Sequence, residues 1–202
     1  MKLGNKLDEY LCSTEPMTRS TALLIESARR LRIPEAVLPE IIKPYTVYVQ
    51  RLPVVIVGQV VNMISGIVLH NRARGPYKGG IRIAPDVTVW ETGELARLMT
   101  LKTALADLEL GGGKSGISVD LRALYATMRK RRLYTGTYRA FETMAKACIM
   151  AEFTHHFGWL FAKHAYIPAP DMGTGGPEMV CIYNELRDPA AVTGKPDGIE
   201  GW

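Results

Sequence analysis

Apolar and polar positions recur along this chain with two different spacings. Over residues 18–31, Leu23, Leu24, Ala28 and Leu31 share one stripe while Arg29 and Arg30 lie off it, which predicts a helix whose exit is bracketed by Pro34 and Pro39. From Tyr45 the pattern changes. Tyr45-Thr-Val-Tyr-Val-Gln and then Val54-Val-Ile-Val are rich in β-branched and aromatic residues and predict strands. Val60 to Leu69 and Gly80 to Ile83 predict two more, separated by glycine and the polar His70-Asn-Arg-Ala-Arg-Gly-Pro segment. Thr88-Val-Trp-Glu91 has the form of a capping box, with Thr88 as N-cap and Glu91 reaching back to it. The helix it opens is expected to run to about Leu108, with Leu95, Leu98, Met99, Leu105 and Leu108 spaced three and four apart. Gly111-Gly-Gly-Lys-Ser-Gly116 predicts a tight turn, and the alternating Ile117-Ser-Val-Asp120 a strand after it. A long helix is expected over 138–157, a stiff loop over Ile167–Pro177 and a helix over 178–186. Strands and helices interleave without an internal repeat, so the expected fold is α/β: a mixed β-sheet with flanking helices.

Composition narrows the class without choosing a function. The 202 residues suit one well-filled domain, or one domain with a short extension, and 47% apolar with 22% charged residues is ordinary for a globular protein. No apolar run approaches the roughly 20 residues that cross a bilayer, and Met1 to Tyr10 lacks the apolar stretch of a secretion signal, so a cytoplasmic protein with no membrane partner is expected. Cys12, Cys148 and Cys181 are widely spaced with no CxxC pair, which argues against a disulfide framework and a structural zinc site. Among the histidines, His155 and His156 are adjacent and point in different directions on a helix, so no metal site is expected. The net charge of +5 raises the question of nucleic acid. Its densest stretch, Arg129-Lys-Arg-Arg132 with Arg122 and Arg139 nearby, has no aromatic ladder beside it and suits a solvated face, so no nucleic-acid partner is expected.

Three lysines and one aspartate stand in unusual surroundings. Lys102 lies four residues after Leu98 and seven after Leu95, on the apolar stripe of its own helix. Its stem packs while the ammonium snorkels to water, or the ammonium is covered and meets an anion, because burying it unpaired costs several kcal/mol. Lys78 sits in Gly75-Pro-Tyr-Lys-Gly-Gly80, where the backbone turns sharply and approaches a ligand closely, unless this is a plain exposed loop. Lys114 lies among Gly111, Gly112, Gly113 and Gly116. A phosphate-binding P-loop does not fit there: position 108 is leucine where the motif needs glycine, and a strand rather than a helix is expected to follow. Asp171, in Pro168-Ala-Pro-Asp-Met-Gly173, is presented from a proline-stiffened loop or serves as a turn residue. Clustered cations would bind a carboxylate-bearing substrate and lower one another's pKa, leaving a lysine able to exchange protons near neutral pH with Asp171 as its partner.

These stretches closely resemble the glutamate dehydrogenase group of the Glu/Leu/Phe/Val dehydrogenase family. The matching text is His70-Asn, Ala73-Arg-Gly-Pro-Tyr-Lys-Gly-Gly-Ile-Arg82, Pro85-Asp-Val87, Leu98-Met-Thr-Leu-Lys102, Gly111-Gly-Gly-Lys114, Ile167-Pro-Ala-Pro-Asp171 with Gly173-Thr-Gly175, and Thr193-Gly-Lys-Pro196. The resemblance runs from about residue 16 onward. It implies that Lys78 binds the substrate's side-chain carboxylate, that Lys102 holds the α-carboxylate with Met99 lining the same pocket, and that Thr193 lies near the substrate. It implies that Lys114 is the catalytic lysine, activating the water that attacks the imino carbon, and that Asp171 shuttles the proton of the amino group. Relatives acting on branched-chain or aromatic amino acids carry an apolar residue where Lys78 stands, so the implied pair is glutamate and 2-oxoglutarate. Ser115 and Gly113 depart from the family's usual small residues, and Ser115 is expected to add a hydroxyl beside Lys114.

The family continues past its TGKP block into a nucleotide-binding domain, and no GxGxxG follows a strand in this sequence. The expected division is an extension over 1–15, a substrate-binding and oligomerisation domain over 16–187, and the start of a linker over 188–202, with no Rossmann domain. The resemblance implies NAD or NADP in the complete enzyme, none bound by this chain alone, and a homo-oligomer, hexameric in the family. The expected function is therefore the substrate and catalytic-lysine domain of a glutamate dehydrogenase-like enzyme, inactive alone with its nucleotide-binding domain missing or separate. The alternative is a non-catalytic assembly or regulatory subunit that joins a full-length dehydrogenase.

Overall fold

The structure, a computed structural model, describes residues 19–199; the expected extension over 1–15, Cys12, Thr18 and Trp202 lie outside the described residues. Five strands, β1 (Thr46–Ile56), β2 (Gln59–Asn71), β3 (Tyr77–Ala84), β4 (Gly111–Ser118) and β5 (Tyr166–Pro170), form one sheet in the order β1-β2-β4-β3-β5. β2 runs antiparallel to β1 and β4, and β3 runs parallel to β4 and β5, so the sheet is mixed as expected. The helices are α1 (Arg19–Arg30), α2 (Leu38–Ile42), α3 (Val89–Leu105), α4 (Leu121–Lys130), α5 (Tyr138–Ala162) and α6 (Gly176–Leu186). No helix among the described residues is long and apolar enough to cross a membrane.

The two runs read as separate strands near residue 50 form the single strand β1, with Pro53 inside it. This is tolerated because β1 is a sheet edge, where a missing N–H costs no ladder bond. Val57 and Gly58, both at positive φ, turn the chain directly into β2. On one face of the sheet lies the main core. Phe141, Ile149, Phe153 and Phe161 of α5 pack with Leu52, Ile67, Ile81 and Ile117 of the strands, all fully buried. Each such side chain contributes about 1.5–3 kcal/mol on leaving water, which makes α5 the main clamp on that face. Helices α4 and α6 flank it. The stripe expected on α1 is only partly covered: Ala28 is buried, whereas Leu23 and Leu31 are exposed.

Helix α3 covers the opposite face, and here two expectations fail together. Gly111 to Gly116 is not a tight turn but the body of β4, a strand buried at the centre of the sheet. The glycines serve close packing. A Cβ on Gly112 would run into Thr100 and the Ala96 carbonyl of α3, and one on Gly116 would meet Val87 and Thr92. A helix pressed this close must turn small residues inward. Its buried positions are Thr92, Ala96 and Thr103 together with Arg97, while of the expected apolar stripe Leu105 and Leu108 stand exposed and Leu95, Leu98 and Met99 are half-buried. The helix also ends at Leu105 rather than at Leu108, and α5 continues to Ala162. Residues 121–130 form α4, capped by the Asp120 side chain.

Gly112→Ala is expected to destabilise the fold by about 3 kcal/mol, because the added methyl meets the α3 backbone at Thr100 and Ala96 as well as the Thr100 hydroxyl, and the backbone cannot swing aside. Urea unfolding checks this, and an unchanged midpoint would contradict the packing account.

Candidate active site

Successive residues of a strand point to opposite faces. Lys78, Gly80 and Arg82 of β3 therefore share the α3 face with Gly112, Lys114 and Gly116 of β4. Asp171 follows directly on β5, which pairs with β3 through Ile81 and Pro170. Its carboxylate lies over Gly80, where a Cβ would come within 2.7 Å of Oδ2, so the missing side chain at 80 is what admits it. There Asp171 forms an ion pair with the ammonium of Lys114, whose side chain is 10% exposed against 22% for the aspartate.

The loop that presents Asp171 is fastened to β3 at several points. Thr174 Oγ1 donates to the Ile81 carbonyl at 2.7 Å and accepts from the Asp171 amide at 2.9 Å. The Ile83 amide donates to the Met172 carbonyl at 3.0 Å, and the Met172 amide donates to Asp171 Oδ1 at 2.7 Å. Gly173 turns the chain at a φ of 82°, where any side chain would strike the Ile83 carbonyl. Asp171 is therefore rigidly held, although β5 and not loop alone carries the prolines that precede it.

Burial pushes the Lys114 ammonium down from 10.5 to about 8; Lys102, Arg82 and Lys78 add to the shift and Glu91 opposes it. The carboxylate of Asp171, in direct contact, favours the charged form. Burial alone pushes Lys78 to about 8, and Lys78 has no ion-pair partner among the described residues. Lys102 is exposed on the last turn of α3, near enough to act on Lys114 but not enclosed, which is the first of its two expected arrangements, with the ammonium reaching water. Met99, three residues earlier on α3, is half-buried. Thr193 is tied to β5, its amide and its hydroxyl both donating to the Pro168 carbonyl, at 3.0 and 3.3 Å. Lys78, Lys114 and Asp171 thus converge with Lys102 at the rim, while the Thr193 hydroxyl is engaged elsewhere.

Two details differ from the sequence reading. Thr88 Oγ1 caps the Glu91 amide at 3.1 Å, but the Glu91 carboxylate does not reach back; it pairs with Arg82. Ser115 does not stand beside Lys114. It points to the other face and donates to Tyr166 Oη at 2.9 Å. Sequence reasoning gave no place in the site to Arg82, Glu91 or Thr174. Arg82 also reaches Met172 Sδ at 3.3 Å and lies 4.0 Å from Asp86, linking β3, the start of α3 and the aspartate loop. Its signal was present, since four residues along a strand from Lys78 is the same face. For Thr174 the signal was an Asp and a Thr three residues apart, a spacing that closes local side-chain turns.

The arrangement gathers the Lys78 and Lys114 ammonium groups and the Asp171 carboxylate on the α3 face of the sheet, with more positive than negative charge. The Glu/Leu/Phe/Val dehydrogenase, dimerisation domain family matches residues 44–188. The NAD-specific glutamate dehydrogenase A of Halobacterium salinarum is 30% identical over 204 residues, covering 96% of this chain and 43% of that protein. Among solved structures, the hetero-hexameric glutamate dehydrogenase of Thermus thermophilus in its Leu-bound form superposes with a TM-score of 0.74 at 28% identity, covering 94% of this chain and 44% of that one. The glutamate dehydrogenase of Peptoniphilus asaccharolyticus gives 0.73 at 26% identity, with 88% and 43% covered. The chain spans less than half the length of each of these relatives. With 145 contiguous residues matched, on a sheet whose order and helices agree with these structures, the chain belongs to the Glu/Leu/Phe/Val dehydrogenase family and carries its dimerisation domain.

Proposed function

We propose that this chain is the substrate-binding and proton-transfer part of a glutamate dehydrogenase-type enzyme acting on L-glutamate and 2-oxoglutarate. The observation that carries the reading is Lys78, a half-buried ammonium pushed to about 8 with no ion-pair partner among the described residues. A buried cation of this kind is stabilised by an incoming anion, and the side-chain carboxylate of a dicarboxylic substrate supplies one. Lys102, at the rim, holds the α-carboxylate, and Met99 lines the same pocket. Thr193 lies near the bound substrate, with its hydroxyl held on Pro168. Asp171 takes the proton of the substrate's ammonium group and returns one to the departing amine. Lys114 in its neutral form accepts a proton from the water that attacks the imino carbon, and passes protons across its contact with Asp171.

The glycine run of β4 does not fit a dinucleotide pyrophosphate. The glycines of β4 are covered by α3 on one side and, at Gly113, by the Tyr166 ring on the other, which leaves no room for a pyrophosphate. In this reading NAD or NADP is held by protein beyond residues 19–199, and residues 16–187 form the substrate and oligomerisation domain, with 188–202 leading away from it. The assembly is a homo-oligomer, hexameric as the family resemblance implies, in the cytoplasm. The hetero-hexameric relative from Thermus thermophilus supports a second reading, a subunit that co-assembles with a full-length dehydrogenase. A full-length dehydrogenase co-purifying with the chain would favour it.

By calorimetry with millimolar ligand, 2-oxoglutarate is expected to bind, and Lys78→Met to weaken it about tenfold or more while leaving the monocarboxylate 2-oxovalerate unaffected. Equal losses for both ligands would refute the assignment of Lys78. The pH dependence follows from Lys78. Its lowered value means that it loses its proton as pH rises through about 8, whereas a bound carboxylate favours the charged form. Binding is therefore expected to be strongest below about 8, to fall about tenfold or more by pH 9.5, and to take up protons in between. Affinity independent of pH over that interval would show that Lys78 does not meet the ligand.

A further inference from the structure

We propose that Tyr166 and Ser115 form a positioning pair, on the face of the sheet away from the lysines, that sets β3 against β4 beneath Lys78 and Lys114. This rests on the reading of the opposite face as a dicarboxylate site and deepens it. Tyr166 begins β5, with its ring wholly buried between Phe161 and the glycines of the neighbouring strands. Its hydroxyl accepts from Ser115 Oγ on β4 at 2.9 Å and donates to the Gly79 carbonyl on β3 at 3.0 Å, with the Gly80 carbonyl at 3.5 Å. One buried hydroxyl thus joins three strands.

Its place in the sheet matters more than the number of its bonds. Residue pairing between β3 and β4 runs through Lys78↔Gly112, lapses over Gly79 and Gly80, and resumes at Ile81↔Ser115. In that lapse Gly80 and Lys114 face the site, with Lys78 at its edge, and there the Gly79 carbonyl takes its bond from Tyr166. The two strands press together at this point, because a Cβ on Gly79 would strike the Gly113 carbonyl and one on Gly113 would come within 2.9 Å of the Tyr166 ring. The ring therefore fills the back of the lapse while its hydroxyl satisfies the carbonyl there. Without the hydroxyl, both the Gly79 carbonyl and the Ser115 hydroxyl would lose a buried partner. The strands would then adjust under the two lysines, and water would reach them.

The test is the titration of Lys114, followed through the NMR signals of its Cε in the ligand-free chain, with Lys114→Arg to assign them. In Tyr166→Phe the midpoint is expected to rise by about half a unit or more toward the ordinary lysine value, as burial of the ammonium is relaxed. Ser115→Ala is expected to move it the same way by less, and the double variant to move it no further than Tyr166→Phe alone. Weakening of 2-oxoglutarate binding of about tenfold accompanies the Tyr166→Phe shift. A merely space-filling tyrosine would lose stability as phenylalanine yet leave the titration unmoved, and that result in the folded variant overturns the proposal. If Tyr166→Phe does not fold, Ser115→Ala decides, since an unmoved midpoint there overturns it equally. Failure of the parent chain to bind 2-oxoglutarate would sink the dicarboxylate reading while the ligand-free titration still judged the pair.

Discussion

An ammonium that leaves water has to meet a negative charge, and in this chain Lys114 meets Asp171. The two residues lie far apart in sequence, on neighbouring parts of one sheet, and the contact exists only because several other groups are kept out of its way. Gly80 leaves the space that the carboxylate occupies. Thr174, Met172 and Gly173 hold the aspartate loop on β3 with bonds that leave Asp171 little freedom to turn away. Glycines at 112 and 116 let α3 lie close above β4, which covers the lysine without crowding it. Most of the local sequence is explained by the need to bring one lysine and one carboxylate together under partial burial.

The balance of charge around that pair gives the site its direction. Lys78, Lys102 and Arg82 all act against the proton on Lys114, and Glu91 acts for it. Glu91, however, is bound to Arg82, so much of its charge is already answered. Asp171 answers Lys114. Lys78 and Lys102 remain as two positive charges, one half-buried and one exposed. In the proposed function a dicarboxylate answers both and a monocarboxylate only one. The same excess of positive charge lowers Lys114, so in that reading substrate recognition and proton exchange are consequences of one charge distribution.

The sequence disclosed which charged residues meet here better than the architecture that brings them together. Lys78, Lys114 and Asp171 were legible because glycine and proline around a charged residue mark a constrained backbone, and that constraint is real in each case. What could not be read was which constraint. The run Gly111 to Gly116 looks like a turn because isolated glycines favour turns, yet it is a central strand whose glycines are dictated by Ala96, Thr100 and Tyr166, residues far along the chain. The burial pattern of α3 has the same origin. A leucine stripe normally marks the buried face of a helix, but a glycine-lined sheet selects small residues, so Thr92, Ala96 and Thr103 are buried, Leu95 and Leu98 are only half-buried and Leu105 is exposed.

Ser115 shows how a single strand position separates two kinds of influence on a neighbour. Its hydroxyl is adjacent to Lys114 in sequence, which suggests direct contact, but the two-residue period of the strand sends it to the other face. There it can affect the lysine only through the backbone, by way of Tyr166 and the Gly79 carbonyl. Influence of that kind changes position and burial rather than adding a local dipole, and at a buried ammonium such as Lys114 position and burial largely set the charge. The strand that carries Lys114 on one side has its other side open to whatever packs there. In the proposed positioning role, the residues behind the sheet are consequently part of what sets the proton affinity in front of it.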